Sequence, residues 1–196
     1  MLKVKGSQFT PIKFDLQGLG LTTFNPDNSI LEGIRKSVER LELQDNNLIY
    51  SPNFGGDRSS WTNLTHLDLS RNGLGKVDKL LFALPVIHEL KLGHNNLKML
   101  PKDLKCSPTL MVLRLENNQL TSLPNKLEKT SINSINLEHN NFESVPTFLC
   151  NMDGLKYLNL SYNEKILEFP LEFGRLPPEI MLDLKGMQVC AIRYWF

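Results

Sequence analysis

Several side chains in this sequence are of types that do chemistry, and their spacing limits what each could serve. Glu116 and Glu138 are paired carboxylates of the kind that could divide acid and base roles if a fold brought them together. His66, His94 and His139 are candidate metal ligands. Cys106, Cys150 and Cys190 are odd in number and far apart, which suits reduced, buried thiols of a cytosolic chain and not a disulfide framework. Gly73-Leu74-Gly75-Lys76 has the outline of a phosphate loop, but Val77 stands where the metal-binding hydroxyl belongs. The sequence contains no G-x-x-x-x-G-K-[ST], H-E-x-x-H, C-x-x-C or G-x-S-x-G. Asn63-Leu64-Thr65 and Asn159-Leu160-Ser161 fit the glycosylation acceptor pattern as by-products of a longer pattern described below.

Composition narrows the classes further. Twenty-two basic and 21 acidic side chains leave a net charge of +1, so bulk attraction to nucleic acid or an anionic membrane is not expected. The first residues, MLKVKGSQFTPIKF, lack the apolar run of a secretory signal, and no stretch approaches the roughly 18 apolar residues of a membrane span. A cytoplasmic chain is the expectation.

The elements that must position these side chains come from one periodic pattern. In Leu110 to Pro124, LMVLRLENNQLTSLP, leucines occupy places one, four, six and eleven, asparagine place nine, and Leu-Pro places fourteen and fifteen. Units of this kind start at Pro11, Val38, Leu64, Ile87, Leu110, Ile132, Leu155 and Glu179, at intervals of 27, 26, 23, 23, 23, 22 and 24 residues. Such a period signals a solenoid. Places four and six share one face of a strand and point inward with places eleven and fourteen, as Leu113, Leu115, Leu120 and Leu123 do in the central unit. Asn46, Asn72, Asn95, Asn118, Asn140 and Asn163 fill place nine, where a side chain with both donor and acceptor can satisfy backbone groups as each coil turns. This column predicts a structural ladder. One coil cannot bury enough to stand alone, so neighbours must stack.

The pattern resembles the leucine-rich repeat over residues 11 to about 187. The resemblance implies an α/β solenoid: a right-handed arc of about eight repeats, with a concave parallel sheet and convex turns and short helices. Pro101, Pro124, Pro146 and Pro170 end successive units; proline lacks an amide hydrogen and fixes φ, which predicts an extended convex side without long helices. This Leu-Pro class resembles cytosolic repeats of Ras-binding and ROCO proteins. Residues 158–187, with one extra residue between Asn163 and Pro170 and with Met187 in place of the ladder asparagine, resemble the last turns of ROCO-family leucine-rich repeat kinases and GTPases. What the resemblance implies is a non-catalytic protein–protein interaction scaffold in intracellular signalling. The regulatory segment of a larger ROCO-type GTPase or serine-threonine kinase and a Ras-signalling scaffold are the two specific settings.

The candidate chemical residues take their places in this repeat. His94 and His139 fall in one column two strands apart, on the order of 10 Å at about 4.8 Å per strand, too far for one zinc ion to join them easily. Glu116 and Glu138 sit in one column on adjacent strands, where solvated carboxylates are favoured over an acid/base pair because no cleft is visible. No metal and no cofactor is expected. Places three, five, seven and eight remain for the exposed concave surface. Same-strand charges at places three and five, Lys13 with Asp15, Arg40 with Glu42, His66 with Asp68 and Glu89 with Lys91, predict self-neutralising pairs. Column eight, with Arg71, His94, Asn117, His139 and Tyr162, gains Arg114 and Tyr157 as neighbours. Tyrosine and arginine are enriched at the energetic centres of interfaces, so these seven residues form the candidate site for a protein partner, a small GTPase or another signalling protein. The alternative is an ordinary polar surface.

The ends and two long connections are less regular. Residues 1–10 read as an N-terminal strand or incomplete cap, 11–187 as the repeat domain, and 188–196 as a tail or truncated continuation, which leads to the expectation of a segment of a longer protein. In residues 25–37, Ser29 with Glu32 predicts a capping box and a short convex helix with Ile30, Leu31 and Ile34 on one face. In residues 49–62, Pro52 and Gly55-Gly56 mark an irregular loop whose Tyr50, Phe54 and Trp61 are expected to fold back onto the core.

Overall fold

Places four and six of each unit lie on one side of a strand two residues apart, so their leucines enter the same interior while the place between them faces outward. The structure, a computed structural model, describes residues 12–54 and 61–189. Eight short strands carry the pattern: β1 (Ile12–Asp15), β2 (Val38–Glu42), β3 (His66–Asp68), β4 (Glu89–Lys91), β5 (Val112–Arg114), β6 (Ser134–Asn136), β7 (Tyr157–Asn159) and β8 (Met181–Asp183). They form one parallel sheet in strict sequence order. The register places repeat-equivalent residues side by side, Leu67 with Leu90, Leu90 with Leu113, and Leu113 with Ile135. This is the solenoid that the repeat predicts.

Backbone pairing continues beyond the assigned strands. The amide of place six donates to the place-five carbonyl of the next coil, as Leu92 does to Arg114 at 2.9 Å, and the amide of place eight donates to place seven, as His94 does to Glu116 at 2.8 Å. Each coil is thereby hydrogen-bonded to its successor through the whole exposed segment.

The interior is a continuous aliphatic column. Leu110, Leu113, Leu115 and Leu120 are fully buried, and the same places in the flanking coils are buried as well. At roughly 1.5–3 kcal/mol per buried side chain, the gain recurs in every coil but needs a neighbour on each side. The last coil lacks that depth: Leu182, Leu184 and Met187 are only half-buried.

The return segments have the form that the prolines predict. Pro124, Pro146 and Pro170 are each followed directly by a 3-10 turn, Asn125–Lys129, Thr147–Asn151 and Leu171–Arg175, and Pro124 itself is extended at φ −69° and ψ 131°. In the third coil, Asp78 takes the place of proline, and its carboxylate accepts the Leu80 amide at 2.8 Å to start the turn Lys79–Ala83.

Residues 25–37 correct one expectation. In place of one short capped helix they form two separate 3-10 turns, Ser29–Leu31 and Arg35–Ser37. Glu32 donates its amide to the Ser29 carbonyl at 3.1 Å, a turn bond and not the reciprocal side-chain capping expected. Arg35, a charged side chain that no motif marks for burial, is 7% exposed and reaches the Asp27 and Asn28 carbonyls and the Asp27 carboxylate. Three aromatics divide: Phe54 and Trp61 are fully buried in an edge-to-face contact at 5.5 Å, whereas Tyr50 stays 75% exposed. Gly55 and Gly56, residues 1–10 and Cys190 lie outside the described residues.

Candidate protein-docking face

The ladder comes first, because it holds the exposed segment in shape. Asn118 donates its side-chain amide to the Leu92 carbonyl of the preceding coil at 3.0 Å and to its own Leu115 carbonyl at 3.1 Å, while its Oδ1 accepts the Leu97 amide at 3.0 Å. Asn46, Asn72, Asn95, Asn140 and Asn163 repeat the same three contacts. The place-six carbonyls of Leu43, Leu69, Leu92, Leu115 and Leu137 thus each serve two successive asparagines. At Met187 the column has no such side chain.

Place eight, immediately before the ladder, is where the backbone turns. All eight residues there have positive φ: Gly18, Asp45, Arg71, His94, Asn117, His139, Tyr162 and Gly186, between 51° and 67°. Left-handed backbone is uncommon for arginine, histidine and tyrosine, and costs about 1–2 kcal/mol relative to glycine. From Gly18 to Tyr162, the place-eight amide is held by the place-seven carbonyl of the next coil. The glycines, asparagine and aspartate of this column were the available signal for the turn, since these residues tolerate φ above zero.

Place five also has a structural task. Asp15, Asp68, Asn136, Asn159 and Asp183 each accept the amide two residues on, at 2.9–3.2 Å. The place-seven amide points away from both neighbouring coils, so a short acceptor at place five satisfies it. Asp68, Asn136 and Asn159 are accordingly buried, at 8%, 9% and 5% exposure, and do not offer the free surface expected of this column. The hydroxyl of Ser161 and then the Lys185 amide hold the Asp183 carboxyl below the usual carboxylate range. Lys13 and the Gln17 amide do the same for Asp15.

Charges on the first five strands neutralise one another, chiefly across strands. Of the four same-strand pairs expected, Lys13 with Asp15 forms at 3.0 Å. The other partners come from neighbouring coils: Lys91 meets Asp68 at 3.2 Å, Arg114 meets Glu89 at 3.1 Å and His66 approaches Glu89 at 4.0 Å. The reason is geometric. Adjacent strands lie closer than the two-residue repeat along one strand, so a carboxylate finds its nearest cation on the next coil.

The remaining strands are different. His139 and Tyr162 stack with ring centroids 4.3 Å apart and planes within 3°. Gly186 lies under the Tyr162 ring, where a Cβ would collide with it. Tyr157 is half-buried and registers against Met181, which is 67% exposed. Met181 and Gly186 were missed in the sequence, although the repeat frame places both beside Tyr157 and Tyr162. Among the seven candidate residues, the structure joins His139 with Tyr162, ties Arg114 to Glu89 and brings Arg71 to 4.0 Å from Asp45. His94 and Asn117 continue the turn column, both partly exposed.

Glu116 and Glu138 lean apart. Glu116 folds back over Gly93 of the preceding coil, while Glu138 reaches forward to Asn159 at 3.1 Å and His139 at 3.9 Å. They do not form a proton-transfer couple. Burial pushes the Cys106 and Cys150 thiols up to about 11, which makes them poor nucleophiles. Leu74, inside the glycine-lysine outline, is a buried ladder partner of Asn95.

Eight stacked coils around one parallel sheet, closed by an internal asparagine ladder, define a solenoid repeat protein. A leucine rich repeat model matches residues 62–120 and 108–164, and a second model of the same repeat matches 154–176. The chain belongs to the leucine-rich repeat family. No curated protein matches it. Similar solved structures include leucine-rich repeat proteins from Bacteroides thetaiotaomicron and Bacteroides eggerthii, each with a TM-score of 0.65 and 20% identity over 81% and 80% of this chain. The functional domain of InlJ from Listeria monocytogenes, which includes a cysteine ladder, matches with a TM-score of 0.59 and 19% identity over 80% of this chain. This chain spans 24%, 29% and 32% of those three chains. The likeness to them is one of fold. Leucine-rich repeats generally mediate protein–protein interaction, with the repeat as scaffold and the exposed strand positions as contact surface.

Proposed function

We propose that this chain is a non-catalytic docking module that binds a folded protein partner on the concave face, centred on β6 to β8 and the adjoining turn column. The observation that carries the reading is the uncharged run at place three from Val112 onward, in which Ser134, Tyr157 and Met181 lie beside the stacked His139 and Tyr162. Rigid aromatic side chains lose little rotamer freedom on binding, and uncharged surface costs less to desolvate than charge. Arg71, His94, Arg114 and Asn117 lie along the approach and set orientation. The setting we infer is cytoplasmic signalling, with a small GTPase or another signalling protein as partner.

Affinity capture from the native cell tests this, comparing the wild-type chain with Tyr157→Ala/Tyr162→Ala and with Arg71→Glu/Arg114→Glu. Both variants should still unfold cooperatively, with midpoints lowered by no more than a few degrees, and lose the same captured protein. Undiminished capture by both removes the assignment. A second reading, the regulatory segment of a ROCO-type GTPase or kinase, draws support from residues 158–187, where the extra residue before Pro170 and the end of the ladder at Met187 resemble that family. A G-x-x-x-x-G-K-[ST] loop encoded within about a hundred residues after Phe196 is its test; its absence favours the Ras-scaffold setting.

A further inference from the structure

Away from the sheet, the return segments of the third to fifth coils carry a second surface of different chemistry. Three adjoining hollows of about 390, 440 and 440 Å³ open to solvent between the turn Lys79–Ala83, the bend at residues 101–106 and the turn Asn125–Lys129. Lys126 borders all three and Lys105 two of them. Lys79, Lys102, Lys105, Lys126 and Lys129 line the hollows against two carboxylates, Asp103 and Glu128. Asp103 is already ion-paired with Lys79. Among the described residues, no carboxylate is ion-paired with Lys102, Lys105, Lys126 or Lys129. The chain as a whole is only +1, so positive charge is gathered here. The later returns carry the balance in Glu143, Glu164, Glu168 and Glu179, all exposed. The apolar lining of the first hollow includes Met99, 58% exposed, beside buried Leu100 and Leu123.

Three features select the occupant. No aromatic ring lines the hollows, so bases have no platform on which to stack. No arginine lines them either, so the bidentate fork that favours phosphate is missing. Leu100, Leu104 and Leu123 are buried and leave Met99 as the one largely exposed apolar side chain of the lining, too little to insert into a lipid surface, while the five lysines are exposed. We propose that these hollows dock an extended acidic segment of a partner protein. An extended chain alternates its side chains between two faces, which places carboxylates against the lysines and apolar groups in the hollows.

Fluorescence anisotropy with a labelled Glu-Leu-Glu-Ala repeat peptide tests the proposal on the full chain. Charge reversal by Lys102→Glu/Lys126→Glu should weaken binding about tenfold or more, and high salt should do the same to the parent. A control with equal net charge, Lys36→Glu/Lys156→Glu on other surfaces, should bind within about twofold of the parent; this separates the local site from overall charge. Thermal unfolding of each variant establishes that it is folded. Equal loss in both double variants overturns the proposal, as does absence of peptide binding. Tighter binding of a single-stranded oligonucleotide or of phosphatidylserine vesicles at the same lysines also overturns it, in favour of that ligand.

Discussion

Strands β1 to β5 and strands β6 to β8 present one concave sheet in two chemistries. In the first group, Lys13 with Asp15, Lys91 with Asp68 and Arg114 with Glu89 neutralise each other in ion pairs of 3.0–3.2 Å. In the second, place five holds buried Asn136 and Asn159 and, at the last strand, Asp183 paired with its own Lys185 at 3.2 Å, while place three holds Ser134, Tyr157 and Met181. A partner approaching the first group must break or accommodate pairs that are already formed, which costs desolvation. One approaching the second group meets rings held rigid by stacking. The scaffold beneath is the same in both, so the difference separates what holds the arc from what it offers.

The largest effects should therefore ignore that boundary. Asn95→Ala and Asn140→Ala, one on each side, each orphan a buried amide and remove a donor from two carbonyls, which costs on the order of 3 kcal/mol. Urea unfolding should show equal losses, and a much smaller loss in one would mean that the ladder is not uniform. Binding comes next. Tyr157→Ala/Tyr162→Ala should weaken the captured partner by roughly thirtyfold, about 2 kcal/mol, whereas removing an already neutral pair by Asp68→Asn/Lys91→Gln should change it less than about threefold. Equal losses measured by titration calorimetry would erase the contrast.

The turn column allows a finer test. Arg71→Gly relieves left-handed backbone while giving up only an exposed 4.0 Å ion pair, and should raise stability by about 0.5–1 kcal/mol. Tyr162→Gly relieves the same strain but loses the stack on His139, itself worth about 1 kcal/mol, so its unfolding midpoint should hardly move. The smallest effect concerns His66, which is held below its ordinary 6.5 first by burial and then by Arg40. The unfolded chain binds that proton more readily, so stability falls as the pH drops below 6.5, and His66→Gln should flatten this part of the urea-midpoint profile.

Much of this was legible in the residues because the repeat is a local code. The period located all eight strands, the ladder asparagines and the inward leucines, and Leu-Pro foretold the short returns. Charge pairing was legible only as composition: Glu89 and Lys91 are neighbours in the sequence, yet Arg114 and Asp68 are their partners. The column at place eight was legible as a set of exposed side chains and not as a turn, since Arg71 and Tyr162 are poor left-handed formers. Arg35 stayed hidden because two of its acceptors are the Asp27 and Asn28 backbone carbonyls, which carry no signature of their own, and another, the Asp27 carboxylate, lies eight residues away in an irregular connection.

By itself the sequence determined the coil, its spacing and the inward side, because apolar periodicity and a buried amide column leave one way to satisfy the backbone. Tertiary structure alone decided which exposed residues are occupied and which remain available. Stacking brought Glu89 to Arg114, laid Tyr162 over Gly186 and buried Asn136 and Asn159, contacts between coils some twenty residues apart that distance in space sets and order in the chain does not.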